Sequence, residues 1–166
     1  ISSNQATGNS GGVHMNTGST FTVSGAPKIT GNTLKSGTTN NVRLSKGTTT
    51  GTSPKPDATI TIGDTHLSTG ASIGVTTEKT LTTGSSVTIA TGAKSGDEKY
   101  FTSDADRDYH FVLDGDEVKL GQHQHNWTYA LSTTTTANDT ITATCNATGC
   151  PAPNGGSVTI KAPSGI

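Results

Sequence analysis

The chain has 166 residues, a net charge of −1, 28% apolar and only 4% aromatic residues. Such a length allows one ordinary domain with a small appendage. Near-zero charge argues against nucleic acid as a partner, the low charge content argues against charge-driven disorder, and no apolar run is long enough to span a bilayer.

In chain order, "ISSNQATGNS" has neither a basic start nor an apolar stretch, so no signal peptide is read there and an excised piece is expected. Residues 10–32, "SGGVHMNTGSTFTVSGAPKITGN", hold two short alternations, Val13/Met15 and Phe21/Val23, wrapped in Gly, Ser, Thr and Asn. Residues 1–15 can be laid over 29–44: Ile1 falls on Ile29, Asn4 on Asn32, Val13 on Val42 and Met15 on Leu44, with one residue inserted. Next come Val42/Leu44, Ile60/Ile62, Ile73/Val75 and Val87/Ile89, each a short alternation between Gly- and Thr-rich turns.

Two architectures use strands like these, and a sandwich core wants longer alternation and large residues from both sheets. A solenoid suits them, because each strand stacks on its equivalent in the next turn and neighbours share one narrow interior. The expectation is parallel β-helix rungs over residues 1–95. Residues 96–120 break the composition: Tyr109, Phe111 and Leu113 alternate, "DGDE" turns, and Val118 and Leu120 alternate again. That predicts a β-hairpin closing the solenoid. Residues 121–166 read as a small appended β module.

"GGVHMNTGSTFTVSGAPKITGN" resembles the repeats of large secreted or cell-wall surface proteins, adhesin-like, of gut-type Gram-positive bacteria. "NVRLSKGTTTGTSPKPDATITIGDTHLSTGASIGVTTEKTLTTGSSVTIATG" is similar to the segment that comes after the last such repeat in those proteins, and "HQHNWTYALSTTTTANDTITATCNATGCPAPNGGSVTIKAP" to a module downstream of it. The resemblance implies a right-handed parallel β-helix; with the C-terminal hairpin cap and the small β module read from the residues, an all-β chain is expected. It implies an extracellular or cell-surface place and a non-enzymatic stalk presenting a binding region to a host or extracellular glycan or protein. It implies no chemistry.

Candidate chemistry gathers in 121–166. His123, His125, Trp127, Tyr129 and Leu131 alternate onto one strand face, as do Ile141, Ala143 and Cys145. Folding the chain at 135–136 sets Leu131 across from Ile141, Tyr129 from Ala143 and Trp127 from Cys145. His123 and His125 then arrive where Cys145 and Cys150 turn, and two imidazoles with two thiolates form the ligand set of a closed zinc site. The competing chemistry is a Cys145–Cys150 disulfide, natural in a secreted chain. Trp127 with Tyr129 would serve as a carbohydrate platform if exposed, or as core if covered.

Other signals are weaker. Asp104, Asp106 and Asp108 suggest a calcium loop but lack its glycine and closing glutamate, so solvated acids are expected. Before residue 96 the acids Asp57, Asp64 and Glu78 stand isolated, and His14 and His66 lie where outward strand faces are expected. A polysaccharide-lyase-like activity is therefore not expected despite the shared fold. An opening mid-repeat would leave an unpaired edge, favouring end-to-end self-association. A chelator is predicted to melt residues 121–163 and spare the rest if zinc staples the module, and metal-free folded protein would refute zinc; circular dichroism with metal analysis checks this.

Overall fold

Val, Ile and Thr suit half-buried extended backbone, and Gly supplies the tight turns between such segments. The computed structural model describes residues 1–49, 55–82, 84–105, 109–122, 126–132, 140–146 and 157–161. Among them the chain is all-β, with one 3-10 turn at Glu98–Tyr100. No described helix is long and apolar enough to cross a membrane. Two compact units divide the chain, Ile1–Gln122 and His123–Ile166.

The first unit holds β1 (Gln5–Ala6), β2 (Val13–Met15), β3 (Thr20–Gly25), β4 (Lys28–Ile29), β5 (Thr33–Leu34) and β6 (Val42–Leu44). It continues with β7 (Thr59–Leu67), β8 (Ser72–Thr77), β9 (Ser86–Thr91), β10 (Phe101–Ser103), β11 (Tyr109–Asp114) and β12 (Glu117–Gln122). One sheet runs β10-β8-β6-β2 and is parallel throughout. A second runs β3-β7-β9 in parallel and then takes β12 and β11 antiparallel. The short β1 and β5 pair in parallel by themselves.

The register places like on like. Val13 pairs with Val42 and Val42 with Val75; Phe21 pairs with Ile60 and Ile60 with Ala90; Val23 pairs with Ile62. The internal repeat maps onto this pairing: Ser2 bridges Thr30, Ala6 pairs with Leu34, and Val13 with Val42, so the inserted residue falls between Ala6 and Val13. The interior is then built across strands that are distant in sequence. Val42, Leu44, Ile60, Ile73, Val75, Ile89, Val118 and Leu120 are fully buried in one cluster. Each such side chain contributes about 1.5–3 kcal/mol relative to exposure.

Between β4 and β6 the chain leaves this sheet. Ile29 pairs with Ile73 and Val42 with Val75, so both strands lie in series along β8 while residues 30–41 make an excursion carrying β5. A ladder of side-chain carbonyls holds the excursion. Asn4 donates its backbone N–H and its side-chain amide to Asn32 Oδ1, at 3.1 and 2.9 Å. Asn32 donates the same pair to Asn41 Oδ1, both at 2.9 Å. Asn41 in turn donates its N–H to Asp104 Oδ2 at 2.6 Å and its amide to Oδ1 at 2.7 Å. Asn32 and Asn41 are only 0% and 3% exposed. Asp104 is thus a half-buried acceptor, not the solvated acid expected from "DADRD"; Asp106 and Asp108 lie outside the described residues. Glycine makes the approach feasible, since a Cβ on Gly74 would collide with both the Asn41 amide and the Asp104 carboxylate.

The hairpin read within 96–120 is present as β11 and β12, with Phe111 across from Leu120 and Leu113 from Val118. Its second strand joins β9 antiparallel, so the hairpin continues the second sheet. Val118 and Leu120 enter the core, and the Phe101 and Phe111 rings meet at 5.9 Å between centroids.

In the second unit β13 (Trp127–Ser132), β14 (Thr140–Cys145) and β15 (Ser157–Lys161) form an antiparallel sheet with β14 central. Trp127 pairs with Cys145, Tyr129 with Ala143 and Leu131 with Ile141, the register that the alternation predicts.

Burial pushes the Asp104 carboxyl above the usual carboxylate range, although hydrogen bonds from Asn41 and Thr76 oppose the rise. Its proton is then held more tightly in the fold than in the unfolded chain. Its contribution to stability is full below the unfolded value of about 4 and declines as pH rises through the higher folded value. Asp104→Asn keeps the ladder, because a single amide oxygen already accepts both donors at Asn32 and Asn41. Relative to the parent, the variant is expected to gain urea resistance from pH 4 to pH 7, and a pH-independent difference would refute this. Asn41→Ala leaves the Asn32 N–H without its acceptor and removes the amide donor from Asp104 Oδ1, while the residue-41 N–H stays on Oδ2; it is expected to cost about 2–4 kcal/mol in the same titration.

Candidate functional site

Of the residues singled out from the sequence, Trp127 and Cys145 are register partners at one end of the β13–β14 pair. Cys145 closes β14 and is 6% exposed, and its register partner Trp127 is half-buried. His123, His125 and Cys150 lie outside the described residues, and no cluster of three or more metal-binding side chains occurs among the described ones. Tyr129, by contrast, is 72% exposed and Leu131 65% exposed. The other face of this sheet is Thr-rich: Thr142 and Thr159 share a hydroxyl contact at 3.3 Å, and Asn146 donates to Thr128 Oγ1 at 3.3 Å.

The first unit carries a polar groove that local spacing did not reveal. It lies over the outer face of β9, with a volume of 420 Å³. Because Val87 and Ile89 point inward, Ser86 and Thr88 must point outward, and the same parity turns Glu117 and Lys119 outward around the buried Val118. Thr59 at the start of β7, Asp57 before it and Lys79 after β8 complete the rim.

Its charges are paired and held. Asp57 Oδ1 accepts the Gly47 N–H at 2.7 Å and Oδ2 accepts from Lys79 Nζ at 2.8 Å. The Lys79 ammonium holds the Asp57 carboxyl below the usual carboxylate range, with the Gly47 N–H helping. Glu117 Oε2 accepts from Thr88 Oγ1 at 3.1 Å and lies 3.4 Å from Lys119 Nζ, which also bonds Asp114. Asp114, chiefly through its hydrogen bond, raises the Lys119 ammonium above its ordinary value. Outside the groove, Arg43 bonds Glu78 at 2.9 Å through Nε and lowers its carboxyl.

The remaining polar clusters are internal. Asp97, 4% exposed, accepts the N–H groups of Leu67 (3.1 Å) and Lys94 (2.9 Å) and lies 3.2 Å from His66 Nδ1. It thereby ties down the bulge where His66 sits at φ 47°. His14, in contrast, faces outward and meets Ser45 Oγ at 3.1 Å.

Comparison with family models, with curated proteins and with solved structures finds no match. The side chains themselves must therefore carry any functional reading. Because Tyr129 is solvated, Tyr129→Ala is expected to change the stability of the second unit by no more than about 0.5 kcal/mol. Thermal unfolding followed by Trp127 fluorescence checks this, and a loss several times larger would show the ring to be part of a core.

Proposed function

We propose that the chain is a non-enzymatic structural segment of adhesin type from a bacterial cell-surface or secreted protein. In this reading the first unit is a short right-handed parallel β-helix, a stiff stalk that holds a binding region away from the cell. The observation that carries it is the pair of in-register parallel runs, Val13–Val42–Val75 and Phe21–Ile60–Ala90, whose side chains share one buried cluster. A stack of this kind buries a continuous interior only across successive turns, and parallel pairing in each of its sheets favours stiffness. The carboxylates of Asp57, Glu78, Asp97 and Asp104 are all engaged in holding the chain, which suits a structural role.

The appended module supplies the binding region, and zinc on His123, His125, Cys145 and Cys150 is its proposed staple, with a Cys145–Cys150 disulfide as the alternative. A second reading, a carbohydrate-binding module, is favoured by the exposed Tyr129 ring beside Trp127 on one face.

Duplicating residues 1–28 ahead of Ile1 tests the stalk, since a solenoid accepts an extra turn as an additive unit. The expected outcome is amide-exchange protection of the added turn and a higher urea midpoint. An added segment that exchanges freely, with an unchanged midpoint, would end the reading.

A further inference from the structure

The groove over β9 is a site of a different kind from the aromatic face, and it rests on neither proposal above. We propose that it binds a short neutral saccharide, whose hydroxyls are received by the Asp57 and Glu117 carboxylates and the Lys79 and Lys119 ammonium groups.

Charge pairing selects the ligand class. Each of the two ammonium groups lies against a carboxylate in or beside the groove, Lys79 on Asp57 and Lys119 on Glu117 and Asp114. A phosphate or polyanion would have to pull a lysine away from its acid, and a polycation would have to do the reverse. A hydroxyl group needs neither exchange. It donates to the second lone pair of an engaged carboxylate oxygen, or to Glu117 Oε1, which accepts nothing among the described residues, and it accepts an ammonium N–H. Vicinal hydroxyls match the two oxygens of one carboxylate, and Thr59 and Thr88 extend the row of partners along the groove.

The groups are also ordered before any ligand arrives. Gly47 and Lys79 fix Asp57 from both oxygens, and Thr88 and Lys119 fix Glu117. Side chains already held in place lose less freedom on binding. The 420 Å³ volume falls in the range of about 300–1,000 Å³ found for small-ligand sites. No aromatic ring lines the groove among the described residues, so affinity comes from hydroxyl pattern alone and is expected near a millimolar dissociation constant, ~1 mM.

The experiment is amide NMR titration of the intact chain with cellotriose, maltotriose, mannotriose and triacetylchitotriose, each to about 10 mM. At least one is expected to shift the amides of Thr88, Glu117 and Lys119. Glu117→Gln and Lys119→Met, both at the surface, are expected to weaken that binding at least tenfold, about 1.4 kcal/mol, with unchanged thermal midpoints. The proposal is overturned if none of the four perturbs the groove, if the shifts survive in both variants, or if they gather at Trp127 and Tyr129 instead. The stalk reading stands or falls separately, on the fate of the duplicated turn.

Discussion

Parallel strands need something that fixes the register of one against the next, and here a chain of side-chain oxygens does so. Apolar contacts alone are permissive: Val, Ile and Leu can slide past one another at modest cost. The Asn4–Asn32–Asn41–Asp104 ladder is not permissive, because each acceptor side chain takes a backbone donor and a side-chain donor from one neighbour, on one oxygen at Asn32 and Asn41 and on two at Asp104. A one-residue slip would strand those donors inside the protein, where each lost bond costs about 1–3 kcal/mol. The ladder also spans the excursion of 30–41, so β4 and β6 can share β8 without a continuous strand between them.

Much of the architecture was legible because like residues stack on like. Ile1 with Ile29, Asn4 with Asn32 and Val13 with Val42 could be matched by eye, and the backbone pairs the same segments. Both hairpins were readable for a simpler reason: alternating residues flank a turn, so register comes from counting. What escaped were partnerships between segments distant in sequence. Asp57 and Glu78 look isolated in sequence, yet Lys79 and Arg43 reach them. Asn40 and Asn41 carry no signal in the sequence, and both are buried. Asp104 read as solvated because nothing near it in sequence announces Asn41. Such contacts depend on how strands distant in sequence are set side by side, which no local spacing encodes.

The second unit obeys another logic. Its central strand alternates Thr140, Thr142 and Thr144 with Ile141, Ala143 and Cys145, and the neighbouring strand repeats the alternation with Trp127, Tyr129 and Leu131. Here binary patterning separates a hydroxyl face from an apolar one, while Tyr129, Leu131 and Ile141 remain exposed. The two units thus carry complementary surfaces: a charged and hydroxylated groove on one, an aromatic and aliphatic face on the other.

The antiparallel approach of β12 to β9 has a crystallographic analogue. From β3 to β7 to β9 the backbone repeats by translation, each strand keeping the direction of the last. At β12 that direction inverts, as a lattice does at a twin boundary. Translation by the same vector cannot be carried past such a plane. The sheet therefore has unlike margins, and its β3 side alone retains the symmetry of the interior.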